Sequence, residues 1–345
     1  MSDPGVDPVV TQVAGRRLRL TNLDKVLYPA SGTTKAELLA YIVAVSEPML
    51  VQVALRPITR RRWPDGVDQP GFFEKSVRPG TPSWMGHARL PRSGADHSGY
   101  VDHPLLIGAP EDAAALVWLM QQGALELHTP QWRVGRKFGL HATAGPADRM
   151  VLDLDPGSPA GIGECAQVAL VAREILSGAG FSSIPVASGS KGLHVYVPLP
   201  RPVPSSDAVA LARTMAEALA AALPDLVELR MAKDRRPGRV FVDVGQNLAA
   251  RTTITPYSPR GRAHPFVATP LTWDELADVH PDDLTVLTVP DRVVLNGDPW
   301  SAVRDRPQQI QTRLQERIEQ AIGTAQIDEG RLAQEIATLA DRADV

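Results

Sequence analysis

The spacing of apolar residues predicts where helices and strands lie in the N-terminal half of the chain. Thr34 followed by Glu37 forms a capping box, and the apolar positions after it predict one continuous helix that reaches Leu50. Residues 51–108 are rich in Pro, Gly and Arg with short apolar runs, which predicts irregular strands and loops. A second helix is predicted over 111–123, where a glycine ends it.

From residue 149 the pattern becomes more regular. RMVLDLD and GRVFVDVG predict strands, GIGECAQVALVAREILSGAG and SSDAVALARTMAEALAAAL predict helices, and SIPVASGSKGLHVYVPLP predicts two strands around a glycine-containing loop. The order strand, helix, strand, strand, helix, strand suits an open antiparallel sheet with helices on one face, of the ferredoxin or RNA-recognition type. The predicted fold class is therefore α+β.

These elements also predict how the chain is divided. Residues 1–12 are expected to be disordered, because they are acidic and rich in proline. Residues 13–300 are expected to form the folded domain, with an N-terminal α/β module at 13–148 and the more regular module at 149–300. Residues 301–345 are expected to form a C-terminal helical extension on the surface.

Composition narrows the class of protein. The chain has 345 residues, of which 43% are hydrophobic and 22% charged, as in an ordinary globular protein. No apolar run is long enough to span a membrane, and the N-terminus lacks the pattern of a signal peptide, so a cytoplasmic protein is expected. The single cysteine, Cys165, excludes an internal disulfide and a Cys-based zinc site. The net charge of −3 argues against non-specific coating of nucleic acid.

Three carboxylates are candidates for metal binding. Because side chains alternate along a strand, Asp153 and Asp155 share one face and lie about 7 Å apart. Asp243 ends another apolar strand, and three acids at one edge of a sheet could hold one or two hard divalent ions. The alternative is that these aspartates only close their strands, since turns favour aspartate.

A loop rich in glycine and serine is the second candidate. Ser188, Ser190 and Lys191 lie in the segment SGSKGLH, which leads into a strand at His194. Hydroxyls, backbone amides and a lysine in a tight loop could cradle a triphosphate. The segment differs from GxxxxGK[ST], which leads into a helix. The alternative is a simple hairpin turn, with His194 as a partly buried strand residue.

The motifs occur in an order that resembles a known family. MVLDLDPG, ASGSKGLHVYVPL and RVFVDVGQN, followed by TPYSPRGRAHPFVATPLTWDEL, resemble the polymerase domain of bacterial ligase D, within the archaeo-eukaryotic primase superfamily. LTNLDKVLYPASGTTKAELLAY, RPITRRRWPDGVDQPGFFEK and GALELHTPQW agree as well, so the similarity covers about residues 15–300. It implies the primase-polymerase fold, in which an RNA-recognition-like antiparallel sheet packs against the N-terminal module.

The resemblance also implies roles for the residues that match its motifs. Asp153, Asp155 and Asp243 match the catalytic acids, which would hold two Mn²⁺ or Mg²⁺ ions. A further group matches residues that bind the incoming nucleotide, namely His128, Ser188, Ser190, Lys191, His194, Gln246, Asn247 and Arg260.

Two more pairs match residues that contact DNA. Lys25 and Lys35 match the pair that holds the 5′-phosphate at the far side of a gap or break, and otherwise would be solvated surface lysines. Phe72 and Phe73 match the aromatic pair that stacks on the template, and otherwise would lie in a packed loop. Adjacent phenylalanines on a strand cannot both enter one core, so at least one is predicted to be exposed. The run Arg60–Arg62 could contact phosphodiesters, although such runs are usually solvated.

The leading hypothesis is a template-dependent primase-polymerase that adds nucleotides, with a preference for ribonucleotides, at short gaps or breaks during DNA repair. Its implied partners are DNA with a 5′-phosphate, NTP or dNTP, a separate ATP-dependent DNA ligase, and Ku; no membrane is involved. A second hypothesis is an inactive DNA-end-binding module that recruits a ligase, and primer extension separates the two. A third is a DxD phosphatase or nuclease. The phosphatases need threonine or valine two positions after the second acid, and Gly157 at that position argues against this hypothesis.

Overall fold

The computed structural model describes residues 8–92, 99–135, 142–278 and 280–304. Its strands are β1 (Val9–Val13), β2 (Arg16–Leu20), β3 (Val26–Tyr28), β4 (Thr33–Thr34), β5 (Thr59–Arg62), β6 (Phe72–Glu74), β7 (His87–Pro91), β8 (Tyr100–Pro104), β9 (Ala124–Thr129), β10 (Ala147–Pro156), β11 (Ile184–Ala187), β12 (Leu193–Val203), β13 (Val227–Glu228), β14 (Val240–Asp243), β15 (Thr253–Ile254) and β16 (Thr269–Pro270). Its α-helices are α1 (Lys35–Ala44), α2 (Ser46–Val53), α3 (Ala113–Gln121), α4 (Ile162–Gly178), α5 (Ser205–Ala222), α6 (Val289–Asn296) and α7 (Pro299–Arg304).

A six-stranded sheet forms the larger half, in the order β13-β14-β10-β12-β11-β16. All neighbouring strands are antiparallel except β13 and β14. Helices α4 and α5 both pack on β10 and against each other, so they cover one face of this sheet. The predicted α+β class is confirmed, and the predicted order of elements from residue 149 to the strand of Asp243 is found with one unpredicted short strand, β13, inserted before β14.

A four-stranded sheet, β15-β9-β5-β6, forms the centre of the smaller half. Three of its strands belong to the predicted N-terminal module, but β15 comes from the segment assigned to the second module and pairs with β9. The two halves are therefore joined by strand pairing at residues 253–254 and do not separate cleanly at residue 148.

The predicted helix that follows Thr34 is broken. The capping box of Thr34 and Glu37 is confirmed, but α1 ends at Ala44 and the chain bends by 75° before α2. Pro48 explains the break, because it has no N–H to donate to the carbonyl of Ala44. Within the described ranges no single helix is long and apolar enough to cross a membrane, and α1 and α2 together reach that length only across this bend.

The basic run in β5 is not solvated, contrary to the sequence-based expectation. Arg60 and Arg62 are buried and pair with Glu74 at 3.1 and 3.2 Å. The expectation was wrong because the side chains of Arg60 and Arg62 point to the face of the sheet opposite that of Arg61. On that face Glu74 of the neighbouring strand neutralises their charges.

The ends of the chain are described only in part. Strand β1 begins at Val9 and pairs with β2, so ordered structure starts earlier than the predicted boundary at residue 13. Most of the predicted C-terminal helical extension, from residue 305 onward, lies outside the described residues, as do residues 1–7.

Candidate active site

A cleft of about 400 Å³ opens where the edge of the large sheet meets one face of the smaller sheet. Nine predicted site residues line it: His128, Asp153, Asp155, Ser188, Ser190, Lys191, His194, Gln246 and Arg260. The fold therefore brings together residues that are separated by more than a hundred positions in the sequence.

Strand register places the three predicted carboxylates side by side. Asp153 on β10 lies opposite Asp243 on β14 and opposite His194 on β12, so the three form one row across the sheet. Asp155 lies two residues further along the same face. The Nε2 atom of His194 approaches Oδ1 of Asp153 at 3.3 Å, and His194 is buried. His194 thus contacts a carboxylate as well as lining the cleft.

Burial and the neighbouring acids act on Asp155. Asp155 is exposed at the rim, yet the surrounding walls desolvate its carboxyl group. This desolvation, together with repulsion from Asp153 and Asp243, raises the pKa of Asp155 to about 6. A cation between the carboxylates would relieve the repulsion.

The side chain of Asp243 is engaged locally. Its Oδ1 accepts a hydrogen bond from the amide of Gly245 at 2.8 Å, and its Oδ2 accepts one from Nε2 of Gln246 at 3.0 Å. No group of three or more His, Cys, Asp or Glu side chains is arranged as a metal site in the part of the chain that the structure describes. A site that included Asp243 would require its carboxylate to turn from Gln246 toward Asp153.

The donor set nevertheless fits a hard divalent ion. All three side chains offer oxygen atoms, which Mg²⁺ and Mn²⁺ prefer. Asp153 and Asp243 are direct cross-strand partners, whose Cβ atoms are typically about 5 Å apart. Each carboxylate oxygen has a further lone pair, so Asp243 could keep its bond to Gly245 while binding an ion.

Glycines bring the loop of Ser188 and Lys191 close to the acids. The loop is a hairpin closed by a hydrogen bond from the amide of Ser188 to the carbonyl of Gly192 at 3.0 Å. Gly189 has a φ of +65°, and a Cβ there would lie 2.7 Å from Cγ of Arg260. A Cβ on Gly192 would collide with the carbonyl oxygen of Leu154, which lies between Asp153 and Asp155. The exposed Lys191 is therefore held near both the acids and Arg260.

Glu126, which sequence reasoning missed, organises the opposite wall. Its buried carboxylate contacts Nε2 of His128 at 2.9 Å, Nε of Arg260 at 3.3 Å and the amide of Gly261 at 3.1 Å. Burial favours protonation, but the hydrogen bond to His128 and the charge of Arg260 outweigh it and lower the pKa of Glu126 to about 2. Its position two residues before His128, on the same strand face, is a signal that could have identified it.

This lowered pKa predicts how Glu126→Gln changes stability with pH. Because the folded pKa lies below the ordinary 4.5, the ionised carboxylate stabilises the fold above pH 4.5, and that contribution is lost as the pH falls toward 2. The shift corresponds to about 3 kcal/mol at neutral pH. Urea unfolding is expected to show Glu126→Gln less stable by about that amount at pH 7, with the gap to wild type narrowing below pH 4.5. A gap that stays constant at low pH would contradict this assignment.

Two arginines in the cleft were also missed. Arg236 lines the wall and stacks on Phe241 at 3.8 Å from the ring centroid, and Arg262 lies two residues after Arg260. Both add positive charge to the cleft, which favours an anionic ligand, and Arg236 lies close enough to Asp155 for its charge to act on that carboxyl group. For Arg262 the sequence signal was its position in the RGR segment, whereas the place of Arg236 depends on the packing of its loop.

Asn247 does not join the cleft. The resemblance placed it with the nucleotide-binding residues, but it is buried, and its amide donates to and accepts from the backbone of Val151 at 2.8 Å each. The interpretation was wrong because Asn247 satisfies backbone groups of β10 that its neighbour β14 leaves unpaired. Gln246, in contrast, lines the cleft beside Asp243.

The two predicted lysines lie together, away from this cleft's lining. The amide of Lys35 donates to the carbonyl of Lys25 at 2.9 Å, and Lys35 is buried at the start of α1 with its Nζ donating to the carbonyl of Thr21 at 2.9 Å. Nζ of Lys25 pairs with Asp65 at 2.7 Å. Burial and the charge of Lys25 lower the pKa of Lys35 to about 8. Lys35 is therefore not the solvated surface lysine that the alternative supposed.

Both predicted phenylalanines are exposed on the edge strand β6, by 46% for Phe72 and 61% for Phe73. The prediction that at least one is exposed is confirmed. The ring of Phe73 lies 5.6 Å from that of His128, edge to face, and the guanidinium of Arg61 lies 5.3 Å from the Phe73 centroid. Phe73 thus extends the cleft wall toward solvent.

Comparison with known proteins identifies the family. A family model described as the primase-polymerase domain of LigD matches residues 34–300. The multifunctional non-homologous end joining DNA repair protein LigD of Mycobacterium tuberculosis H37Rv is 46% identical over 284 residues, which are 82% of this chain and 36% of that protein. The bifunctional non-homologous end joining protein LigD of Bacillus subtilis is 30% identical over 294 residues, which are 85% of this chain and 45% of that protein.

A solved structure agrees with the sequence comparisons. The polymerase domain from Mycobacterium tuberculosis ligase D in complex with DNA superimposes with a TM-score of 0.76 at 45% identity, covering 84% of this chain and 99% of that one. The chain spans only 36% to 45% of the length of the two LigD proteins. The chain therefore belongs to the LigD primase-polymerase domain family.

Proposed function

We propose that this protein is a template-dependent nucleotidyltransferase that adds nucleotides to the 3′ end of a DNA strand at short gaps or breaks during repair. The observation that carries the proposal is the meeting of Asp153, Asp155, Lys191 and Arg260 in one cleft. Acids on one side and cations on the other suit a metal–triphosphate ligand.

Each side of the cleft has its own task in this reaction. Asp153, Asp155 and Asp243 would hold two Mn²⁺ or Mg²⁺ ions, which when bound activate the 3′-hydroxyl and stabilise the departing pyrophosphate. Lys191 and Arg260 neutralise the triphosphate, with Ser188, Ser190 and Gln246 as polar contacts. His194, paired with Asp153, keeps that carboxylate in its row.

The DNA contacts lie outside the cleft lining. Lys25 and Lys35 would hold the 5′-phosphate across the gap, since two adjacent cations match a group with nearly two negative charges. The exposed ring of Phe73, beside His128, suits stacking on a template base. Phe72, which the resemblance pairs with it, is also exposed but lies on the opposite face of β6 against Arg62. The related polymerase domain of Mycobacterium tuberculosis ligase D was solved in complex with DNA, which supports DNA as a ligand of this fold.

The finer features of the proposal rest on the family resemblance. They are a preference for ribonucleotides, a role in end joining, and partnership with an ATP-dependent DNA ligase and with Ku. Competition between NTP and dNTP at equal concentration tests the first of these directly.

A primer-extension assay tests the proposal as a whole. Gapped DNA with a 5′-phosphate is incubated with labelled nucleotides and Mn²⁺, Mg²⁺ or EDTA. Incorporation that follows the template, needs the metal and releases pyrophosphate is the expected result. Release of inorganic phosphate, or no incorporation with either metal, would overturn the proposal.

The position of Asp243 favours one alternative, an inactive module that binds DNA ends and recruits a ligase. Its carboxylate is bonded to Gly245 and Gln246, so the three acids do not yet converge on one point. That alternative predicts binding of 5′-phosphorylated DNA without incorporation in the same assay.

A further inference from the structure

Glu126 is a buried acid to which the proposed reaction gives no task. It lies directly behind His128 and Arg260 in the wall of a cleft that must attract a triphosphate, where a negative charge opposes binding. Its side chain is 2% exposed and its carboxylate is surrounded by His128, Arg260 and the amide of Gly261. A carboxylate is costly to bury, so its place in this wall requires an explanation.

We propose that Glu126 is a positioning residue, which fixes Arg260 and His128 in the orientation that receives the incoming nucleotide. The inference rests on the proposed function of the cleft and goes beyond it by assigning a residue to the assembly of the nucleotide site. Glu126 itself contacts no substrate and acts through Arg260 and His128.

The two carboxylate oxygens of Glu126 contact different partners. Oε1 accepts a hydrogen bond from the amide of Gly261 at 3.1 Å and lies 3.3 Å from Nε of Arg260. Oε2 contacts Nε2 of His128 at 2.9 Å. The hydroxyl of Tyr28 donates to the carbonyl of Arg260 at 2.9 Å and fixes the loop from the other side. The backbone of Arg260 is therefore held by a hydrogen bond, and its Nε atom by the ion pair with Glu126.

The free end of Arg260 points to a ligand. Among the residues that the structure describes, its guanidinium donates no hydrogen bond: Nε meets Glu126 only as an ion pair at 3.3 Å, and the side chain lines the cleft. A guanidinium that is oriented by an ion pair and has donors to spare can bind phosphate oxygens through two parallel hydrogen bonds.

His128 connects this phosphate side to the stacking side. Its ring lies between the carboxylate of Glu126 and the exposed ring of Phe73, 5.6 Å away. Strand pairing aligns Glu126, Arg61 and Phe73 in one row on the same sheet face. Glu126 therefore orients both Arg260, on the phosphate side of the nucleotide site, and His128, on the stacking side.

The sign of one measurement separates positioning from simple electrostatics. If Glu126 only contributed charge, its neutralisation would make the cleft more positive and tighten the binding of anions. If Glu126 positions Arg260 and His128, neutralisation weakens binding although the cleft gains positive charge. The two explanations thus predict changes in opposite directions.

The test compares Glu126→Gln, Glu126→Asp and the control Glu275→Gln with wild type. Glu275 is a suitable control because it also binds one arginine and one backbone amide, Arg292 and Thr272 at 2.8 Å each, outside the cleft lining. KM and kcat for nucleotide addition are measured at saturating DNA, and the binding of inorganic tripolyphosphate is measured by calorimetry.

Glu126→Gln is expected to raise the nucleotide KM and the tripolyphosphate Kd about tenfold, with kcat within about twofold of wild type. Glu126→Asp keeps the charge but is one methylene too short to reach both partners, so its KM is expected to rise as well. Because Glu126→Asp retains the charge that the buried cations need, its KM tests the positioning role if Glu126→Gln does not fold. Glu275→Gln is expected to leave both constants unchanged.

An unchanged or lower KM in Glu126→Gln, or a wild-type KM in Glu126→Asp, would overturn the positioning role. Tripolyphosphate binding requires no catalysis, so it keeps this test separate from that of the proposed function. A wild-type protein that binds tripolyphosphate but adds no nucleotide contradicts the proposed function alone.

Discussion

Asp155→Ala is expected to lower the rate of nucleotide addition at least about a thousandfold, because it removes a proposed ligand of the metal ions that would stabilise transition-state charge. Affinity for 5′-phosphorylated gapped DNA is expected to stay within about twofold, since phosphate contacts dominate that affinity and Asp155 makes none. Single-turnover incorporation and fluorescence anisotropy measure the two quantities on the same DNA.

Stability provides a check that is independent of activity. The raised pKa of Asp155 means that its ionised form opposes folding at neutral pH. The melting temperature of Asp155→Ala is therefore expected to equal or exceed that of wild type. Unchanged or higher stability together with lost activity is typical of a substitution at a functional site. Asp207→Ala, an exposed acid in the first turn of α5, is the control. Full activity of Asp155→Ala at saturating Mn²⁺ would rule out its assignment as a ligand.

The second large effect concerns recognition of the 5′-phosphate. Lys25→Gln combined with Lys35→Gln is expected to abolish the preference for phosphorylated over unphosphorylated gapped DNA, a loss of about 100-fold for two charge-assisted contacts. Activity on an unphosphorylated substrate should change little. Arg201→Gln with Arg213→Gln removes the same net charge from exposed positions elsewhere and serves as the matched control. An equal loss in both double variants would mean that only the overall charge matters.

The preference for the 5′-phosphate is also expected to depend on pH. The pKa of Lys35 is lowered to about 8, so this side chain loses its charge as the pH rises through that value. The ratio of the two affinities in wild type should therefore fall between pH 7 and 9, about one unit either side of that pKa. A ratio that is constant over this range would show that Lys35 does not carry the contact.

Local sequence patterns were sufficient to predict much of this protein. The capping box at Thr34, the helices α4 and α5, and the shared face of Asp153 and Asp155 all depend on side-chain periods within one element. The hairpin of Ser188 to Gly192 was also readable, because its glycines are required by the backbone itself. Family resemblance added Lys25, Lys35, Phe72 and Phe73, whose chemistry no period reveals.

Only the tertiary structure decided which elements meet. Register across β10 and β14 puts Asp243 opposite Asp153, and pairing of β5 with β6 buries Arg60 and Arg62 against Glu74. The contacts of Glu126 with a loop more than 130 residues away, and the use of Asn247 inside the fold, likewise had no local signature. The physical reason is that a side chain's direction is set by its own strand or helix. Its partner, and therefore its charge state and role, is set by long-range pairing.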